Sequence, residues 1–374
     1  MATMQFTRRR FLQFCSANVV LPWMSSLFAT EARSSWAFGI IPDTQWWFNA
    51  PFHGTAIHVI DAINVEFIRQ QVDFVIQIGD LAEMPSALAF QTRAAHNQSL
   101  TEAGIKFYPI RGNHDVPNNN PKNLDDQAMK QAAAAAQFTA AFPDLPGTSS
   151  VGSSPDLPGA AGMTYSFTHN DGKFILLDTF PMVDDNTKRS KTYTISDYLP
   201  WIEAELKRDD HRFALVFAHK PLQGQNHKDI LFGENLDSNP EMQNAFMECL
   251  QRNGVRCFLC GHDHLYHHSR VKSPDGRSEV DQVICGSASH KFYLPALPLP
   301  ERERPIAQEL MRIGFVIVRI NDDRISFEYY SARPFGAKPQ TPQWELQDAF
   351  GHTQDGQSFG EPAETMKQFF RPER

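Results

Sequence analysis

Five times along this chain an apolar, largely β-branched or aromatic run stops at a short polar cluster rich in Asp, Asn, His and Gly. Ala37 to Ile41 stops at Pro42-Asp43-Thr44-Gln45, and Phe74 to Ile78 at Gly79-Asp80. Lys106 to Ile110 stops at Arg111-Gly112-Asn113-His114-Asp115, and Phe213 to Phe217 at Ala218-His219-Lys220-Pro221. Val255 to Cys260 stops at Gly261-His262-Asp263-His264. Between the runs, apolar residues fall at helical spacing (Ile57, Ile60, Ile63, Phe67), and Pro85 to Ala103, Gln131 to Gln137 and Pro240 to Asn253 read as helices. Strands alternating with helices imply a parallel or mixed sheet with helices on its faces. In such sheets ligands collect beyond the carboxyl ends of the strands, so the polar clusters converge on one rim.

The rest of the chain is less periodic. Pro143 to Ala161 is rich in Pro, Gly and Ser and reads as an exposed loop. Thr164 to Phe167 and Lys173 to Leu177 flank a hairpin turn at His169-Asn170-Asp171-Gly172. Val280 to Cys285 and Gly314 to Tyr330 supply late strands, the latter folding back at Asn321-Asp322-Asp323. The segment after Ala332 reads as an ordered-to-frayed tail. No repeat or compositional break divides the chain, so the expected organisation is an N-terminal segment (1–32), one large domain (33–334) and a C-terminal tail (335–374).

Thr7-Arg8-Arg9-Arg10-Phe11-Leu12 resembles the twin-arginine export signature, and a weakly apolar stretch to Ala29 follows it. Thr30-Glu31-Ala32 offers small residues before a cut after Ala32. The expectation is a periplasmic or secreted protein that meets the twin-arginine export machinery and keeps no stable membrane insertion after cleavage. The cut removes three arginines and Glu31 from a total of 35 basic and 43 acidic residues, leaving a net charge of −10. That balance argues against nucleic acid or an anionic membrane as the main partner, since both reward a basic face. Cys15 falls in the export segment. Cys249, Cys257, Cys260 and Cys285 lack the paired spacings of a zinc ribbon and read as free core thiols, though an oxidising compartment would permit a disulfide.

Carboxylate, amide and imidazole donors at the strand ends suit Fe, Mn, Zn, Co or Mg. The blocks Asp43-Thr44-Gln45, Gly79-Asp80, Gly112-Asn113-His114-Asp115, Ala218-His219-Lys220-Pro221 and Gly261-His262-Asp263-His264 stand in the order found in the calcineurin-like metallophosphoesterases, which this chain resembles from residue 43 to 264. The resemblance implies a four-layer α/β/β/α sandwich with mixed sheets. It also implies two divalent or trivalent metal ions: the first on Asp43, Asp80 and His264, the second on Asp80, Asn113, His219 and His262. His114 would protonate the leaving group or steady the phosphoryl oxygens. Asp115 would orient His114 through its ring N–H, and Gly79, Gly112 and Gly261 would let the backbone approach the metals.

The chain departs from the family at Gln45, where His is common; Gln45 is read as a weaker metal ligand or as a hydrogen-bond partner of a metal water. Glu83 stands where protein phosphatases carry a different continuation, which disfavours that subgroup. Isolated histidines (His53, His58, His96, His169, His211, His227 and His352) are read as surface or core residues. His267 and His268 are placed in a solvated loop, His290 outside the site, and Lys220 in solvent. Trp46, Trp47 and Phe48 are equally an aromatic wall beside the first metal or ordinary packing. The expected activity is hydrolysis of a small phosphate mono- or diester by a hydroxide that two metals activate. The alternatives are a non-catalytic metal- or phosphate-binding protein on the same scaffold, or a hydrolase with one metal.

Overall fold

The computed structural model describes residues 35–45, 56–117, 124–148, 152–184, 187, 189–208, 211–335 and 341–360, with the side chains of 124–128 left aside. In chain order the first elements are β1 (Trp36–Ile41), α1 (Ala56–Arg69), β2 (Phe74–Ile78), α2 (Ala87–Ala95), α3 (Gln98–Glu102), β3 (Lys106–Ile110) and α4 (Leu124–Ala141). Then come β4 (Tyr165–His169), β5 (Gly172–Leu177), β6 (Met182–Val183), β7 (Ser190–Lys191), α5 (Ile195–Lys207), β8 (Phe213–Ala218), α6 (Pro240–Arg252) and β9 (Cys257–Cys260). The last are β10 (Tyr266–Lys272), β11 (Glu279–Cys285), β12 (Glu303–Glu309), β13 (Ile313–Asn321), β14 (Arg324–Ala332), β15 (Glu345–Thr353) and β16 (Ser358–Phe359).

Two seven-stranded mixed sheets result, ordered β16-β15-β14-β13-β1-β2-β3 and β12-β10-β11-β9-β8-β5-β4. Alternation along β1 explains how they stack. Phe38 and Ile40 join the core between the sheets, whereas Ala37 and Ile41 face the other way, onto Val59, Ile60, Ile63 and Phe67 of α1. Phe38 stacks on Phe74 at 4.9 Å and meets Phe174 of the second sheet edge-on at 5.2 Å, so aromatic rings fill the space between the sheets. On the far side α5 and α6 pack against each other and against β5 and β11. The four layers α/β/β/α are therefore present. The described residues cluster as one unit, and among them no helix is long and apolar enough to cross a membrane.

Several expectations need correction. The helix expected over Pro85 to Ala103 is two, because the chain leaves helical geometry at Asn97 (φ −91°, ψ 0°). The loop from Pro143 to Ala161 is not uniformly exposed: Leu145 and Ala160 are buried in the main core. Beyond Ala332, Glu345–Thr353 is a strand along β14 rather than a tail, held where Phe350 stacks on Phe327 at 4.9 Å. α5 carries Pro200 inside it, which hid the helix in the sequence; its start is held by Asp197, whose carboxylate accepts from the Thr194 backbone N–H at 2.7 Å. His267 and His268 are buried in β10, where Glu303 (2.8 Å) and Asp348 (3.1 Å) supply their partners. The four core cysteines are free and buried, and burial holds the thiols of Cys257 and Cys260 well above their ordinary range.

Candidate metal centre

β1, β2 and β3 run parallel in the first sheet, and β8 and β9 run parallel in the second. The five polar clusters follow the carboxyl ends of these strands. Asp43, Gln45, Asp80, His219, His262 and His264 are buried there, and Asn113 and His114 are half-buried. One ligand atom each from Asp43, Asp80 and His264 lies within 4.8 Å of the other two. Such close approach needs glycine. A side chain at Gly112 would run into Asp80, and one at Gly261 into the Asp43 carboxylate.

The imidazoles are oriented one by one. His219 Nδ1 donates to the Ile78 carbonyl at 2.9 Å, and His264 Nδ1 donates to the Lys291 carbonyl at 3.0 Å. His262 Nε2 donates to Asp229 Oδ1 at 3.2 Å. Each ring thereby turns its other nitrogen, as a lone pair, toward Asp80, Asp43 or the Asn113 amide oxygen. His219 Nε2 then lies 3.4 Å from Asp80 Oδ1, and His264 Nε2 3.5 Å from Asp43 Oδ1. Asn113 Oδ1 lies 3.0 Å from both His219 Nε2 and His262 Nδ1. These are contacts between lone-pair atoms. Ligands about 2.1 Å from one cation and at right angles are about 3.0 Å apart, so the spacing is that of a coordination shell.

Charge points the same way. Burial, and then the charge of Asp80, push the Asp43 carboxyl well above the usual carboxylate range. Among the described residues no lysine or arginine is ion-paired to Asp43 or Asp80; their only such partners are His264 and His219. Burial holds the His219 imidazole down at about 4 and that of His264 well below its ordinary value, so both are neutral ligands. Two buried carboxylates beside neutral imidazoles would be stabilised by a bound cation. The residues Asp43, Asp80 and His264 fit a divalent metal ion.

Gln45 is brought into the cluster. Its backbone N–H donates to the Asp80 carbonyl at 2.8 Å, and its side-chain Nε2 donates to Asp80 Oδ2 at 2.9 Å. Here it holds the Asp80 carboxylate in place. Trp46, Trp47, Phe48 and His53 lie outside the described residues.

Asp115 does not orient His114. It is fully buried and accepts from the backbone N–H groups of Gly112 (2.8 Å), Leu81 (3.0 Å) and Ala82 (3.2 Å), which ties the Asp80 loop to the Asn113 loop. Its oxygens take their hydrogen bonds from three main-chain donors, and among the described residues none from the imidazole. The partner of His114 Nδ1 is the Glu83 carbonyl at 2.9 Å, while its backbone N–H donates to Asp80 Oδ1 at 2.9 Å.

Sequence reasoning missed three contributors. Asp229, from the loop after β8, orients His262 and takes an ion pair from Lys220 at 2.9 Å, so Lys220 is not solvated in isolation. Burial opposes the charge of Asp229, but His262 and Lys220 hold its carboxyl well below the ordinary range. Asp263, between two ligands, accepts from the backbone N–H of Asn226 (3.1 Å) and His227 (3.0 Å) and so closes the loop that carries Asp229. Its place inside a ligand motif was the available signal. Lys291 had none. His227, read as isolated, sets its ring centre 4.4 Å from that of His262, whereas His290 meets the ring of Phe335 edge-on.

In three dimensions the chain is similar to PhoD, with 13% identity over 88% of this chain and 72% of that chain, and a TM-score of 0.58. It is also similar to purple acid phosphatase PPD1 from seeds of yellow lupin (Lupinus luteus), with 14% identity over 86% of this chain and 54% of that chain, and a TM-score of 0.56. At these identities the likeness is one of fold. No curated protein matches the sequence. The family described as calcineurin-like phosphoesterase matches residues 38–266, which is more than half of the chain and spans every strand-end cluster from Asp43 to His264. This chain belongs to the calcineurin-like phosphoesterase family.

Proposed function

We propose that this protein hydrolyses a small phosphate mono- or diester with two divalent cations, one on Asp43, Asp80 and His264 and the other on Asp80, Asn113, His219 and His262. The observation that carries this reading is the orientation of the three imidazoles, each with its far nitrogen on an oxygen acceptor, so that the near nitrogens of His219 and His264 face Asp80 and Asp43 and that of His262 faces the Asn113 amide oxygen. When bound, such a pair of cations supplies Lewis-acid charge for phosphoryl oxygens and lowers the pKa of a water. The chain's own residues then hold and orient. Asp80 lies between the two ligand sets, with Oδ1 toward His219 and Oδ2 toward Gln45. His114, fixed through Nδ1 by the Glu83 carbonyl, has Nε2 as the atom through which a proton reaches the leaving oxygen.

The purified chain is expected to carry about two metal ions and to hydrolyse p-nitrophenyl phosphate, bis-p-nitrophenyl phosphate or both. Chelation should abolish turnover and a divalent metal should restore it. Elemental analysis beside the two assays checks this. Two bound metals with neither ester cleaved would sink the hydrolase reading and leave a binding protein.

The N-terminal arginines support export through the twin-arginine route, although residues 1–34 lie outside the described residues. Replacing Arg8 and Arg9 with lysine should retain a reporter fusion in the cytoplasm. Continued export through the general secretory route would end that assignment.

A further inference from the structure

One cation at the rim, outside the candidate ligand set, is met by a carboxylate only at long range, in an ion pair with Glu83. Lys291 sits in the loop after β11, and its main-chain carbonyl is the acceptor that orients His264. Ser287 Oγ donates to the same carbonyl at 2.9 Å, so the Lys291 backbone is pinned against a metal ligand. The ammonium lies 3.4 Å from His114 Nε2 and 3.7 Å from Glu83 Oε2, with the side chain 22% exposed. An ammonium has three N–H donors, and an N–H···O bond wants about 2.7–3.2 Å. Among the described residues no carboxylate meets Lys291 at that distance. The neighbouring Lys220 differs, because Asp229 neutralises it at 2.9 Å. Tyr293 stands beside the ammonium, its ring centre 5.8 Å from Nζ and edge-on to His264 at 5.0 Å, so the lysine projects from a loop that already walls the ligands.

We infer that Lys291 is a phosphoryl-binding residue that selects the doubly charged phosphate of a monoester over the singly charged phosphate of a diester. This rests on the phosphoesterase reading above and names the substrate class within it. A phosphate monoester carries close to two negative charges above pH 7, spread over three terminal oxygens. A diester carries one charge over two. Its remaining position is an ester oxygen with little charge to offer an ammonium. Lysine acts as a compact point charge, so its contribution follows the charge that it meets. Placed beside His114, it would meet the phosphoryl group on the side of the imidazole that donates to the leaving oxygen.

The test uses the full chain loaded with metal at pH 8, titrated calorimetrically with inorganic phosphate and with dimethyl phosphate. Lys291→Met should weaken inorganic phosphate about tenfold or more and dimethyl phosphate less than about threefold, and Lys291→Arg should recover most of the loss. Metal content should stay constant, since His264 is held by a main-chain carbonyl that every variant keeps. Should Lys291→Met lose metal, Lys291→Gln, similar in length and uncharged, replaces it in the same titrations. Unchanged phosphate affinity, equal weakening of both anions, or no phosphate binding by the unaltered protein would each overturn the inference. An unaltered protein that shows the expected pattern yet cleaves neither nitrophenyl ester would sink the hydrolase reading and leave the role of Lys291 intact.

Discussion

Replacing Asp80 with asparagine is expected to abolish ester hydrolysis and to lower bound metal by about half or more. The backbone should tolerate the change: Asp80 has a φ of +49°, and asparagine is among the few residues that adopt this left-handed region readily. What is lost is the charge. Asp80 Oδ1 faces His219 at 3.4 Å while Oδ2 holds the Gln45 amide at 2.9 Å. An amide presents one oxygen and one NH2 group, so it cannot serve both ligand sets. Without metal, the variant should unfold at much the same temperature as the parent, because relief of repulsion with buried Asp43 offsets a hydrogen bond weakened at Gln45. With metal at a hundredfold excess over its dissociation constant, the parent gains about 2.7 kcal/mol per site, and the variant should lose most of that gain. Elemental analysis, thermal unfolding with and without metal, and turnover together check the result. Full activity at unchanged metal content would remove Asp80 from the centre.

His114→Ala should separate chemistry from binding. The ligand shell depends on the His114 backbone N–H, which donates to Asp80 at 2.9 Å, and alanine keeps that donor. The imidazole itself is anchored on the Glu83 carbonyl and lies outside the ligand sets. Both metals should therefore remain, while turnover of an alkyl phosphate falls about 10²–10⁴-fold. With p-nitrophenyl phosphate the loss should be smaller, because p-nitrophenolate departs without a proton. Equal losses on the two substrates with metal retained would assign His114 to steadying phosphoryl oxygens. No loss on either would take it out of the mechanism.

The strand-end clusters were legible because their spacing is local. β2 and β3 occupy the residues expected, and β1, β5, β8, β9, β11, β13 and β14 fall within a few residues of expectation. Elements that rest on distant partners were not legible. β10 contains Tyr266, His267, His268 and Ser269, all buried, and no alternation of polar and apolar residues marks it as a strand. His267 and His268 find their partners in Glu303 and Asp348, 36 and 80 residues away. β15 lacks a continuous apolar run and is held by pairing with β14.

The same division runs through the site. Sequence alone determined the donor types and their order, because a carboxylate, an amide or an imidazole must follow a strand end for its atoms to reach the shared rim. It also determined where glycine was needed. Tertiary structure alone decided which nitrogen of each histidine faces the cluster, since that choice lies with acceptors far along the chain: Ile78 for His219, Lys291 for His264 and Asp229 for His262. It likewise turned Asp115 from a partner of His114 into a brace between two loops, and set Lys291 beside His114 across 177 residues of sequence. Ring orientation and charge placement are properties of contacts, and a contact between remote residues leaves no spacing for a sequence to show.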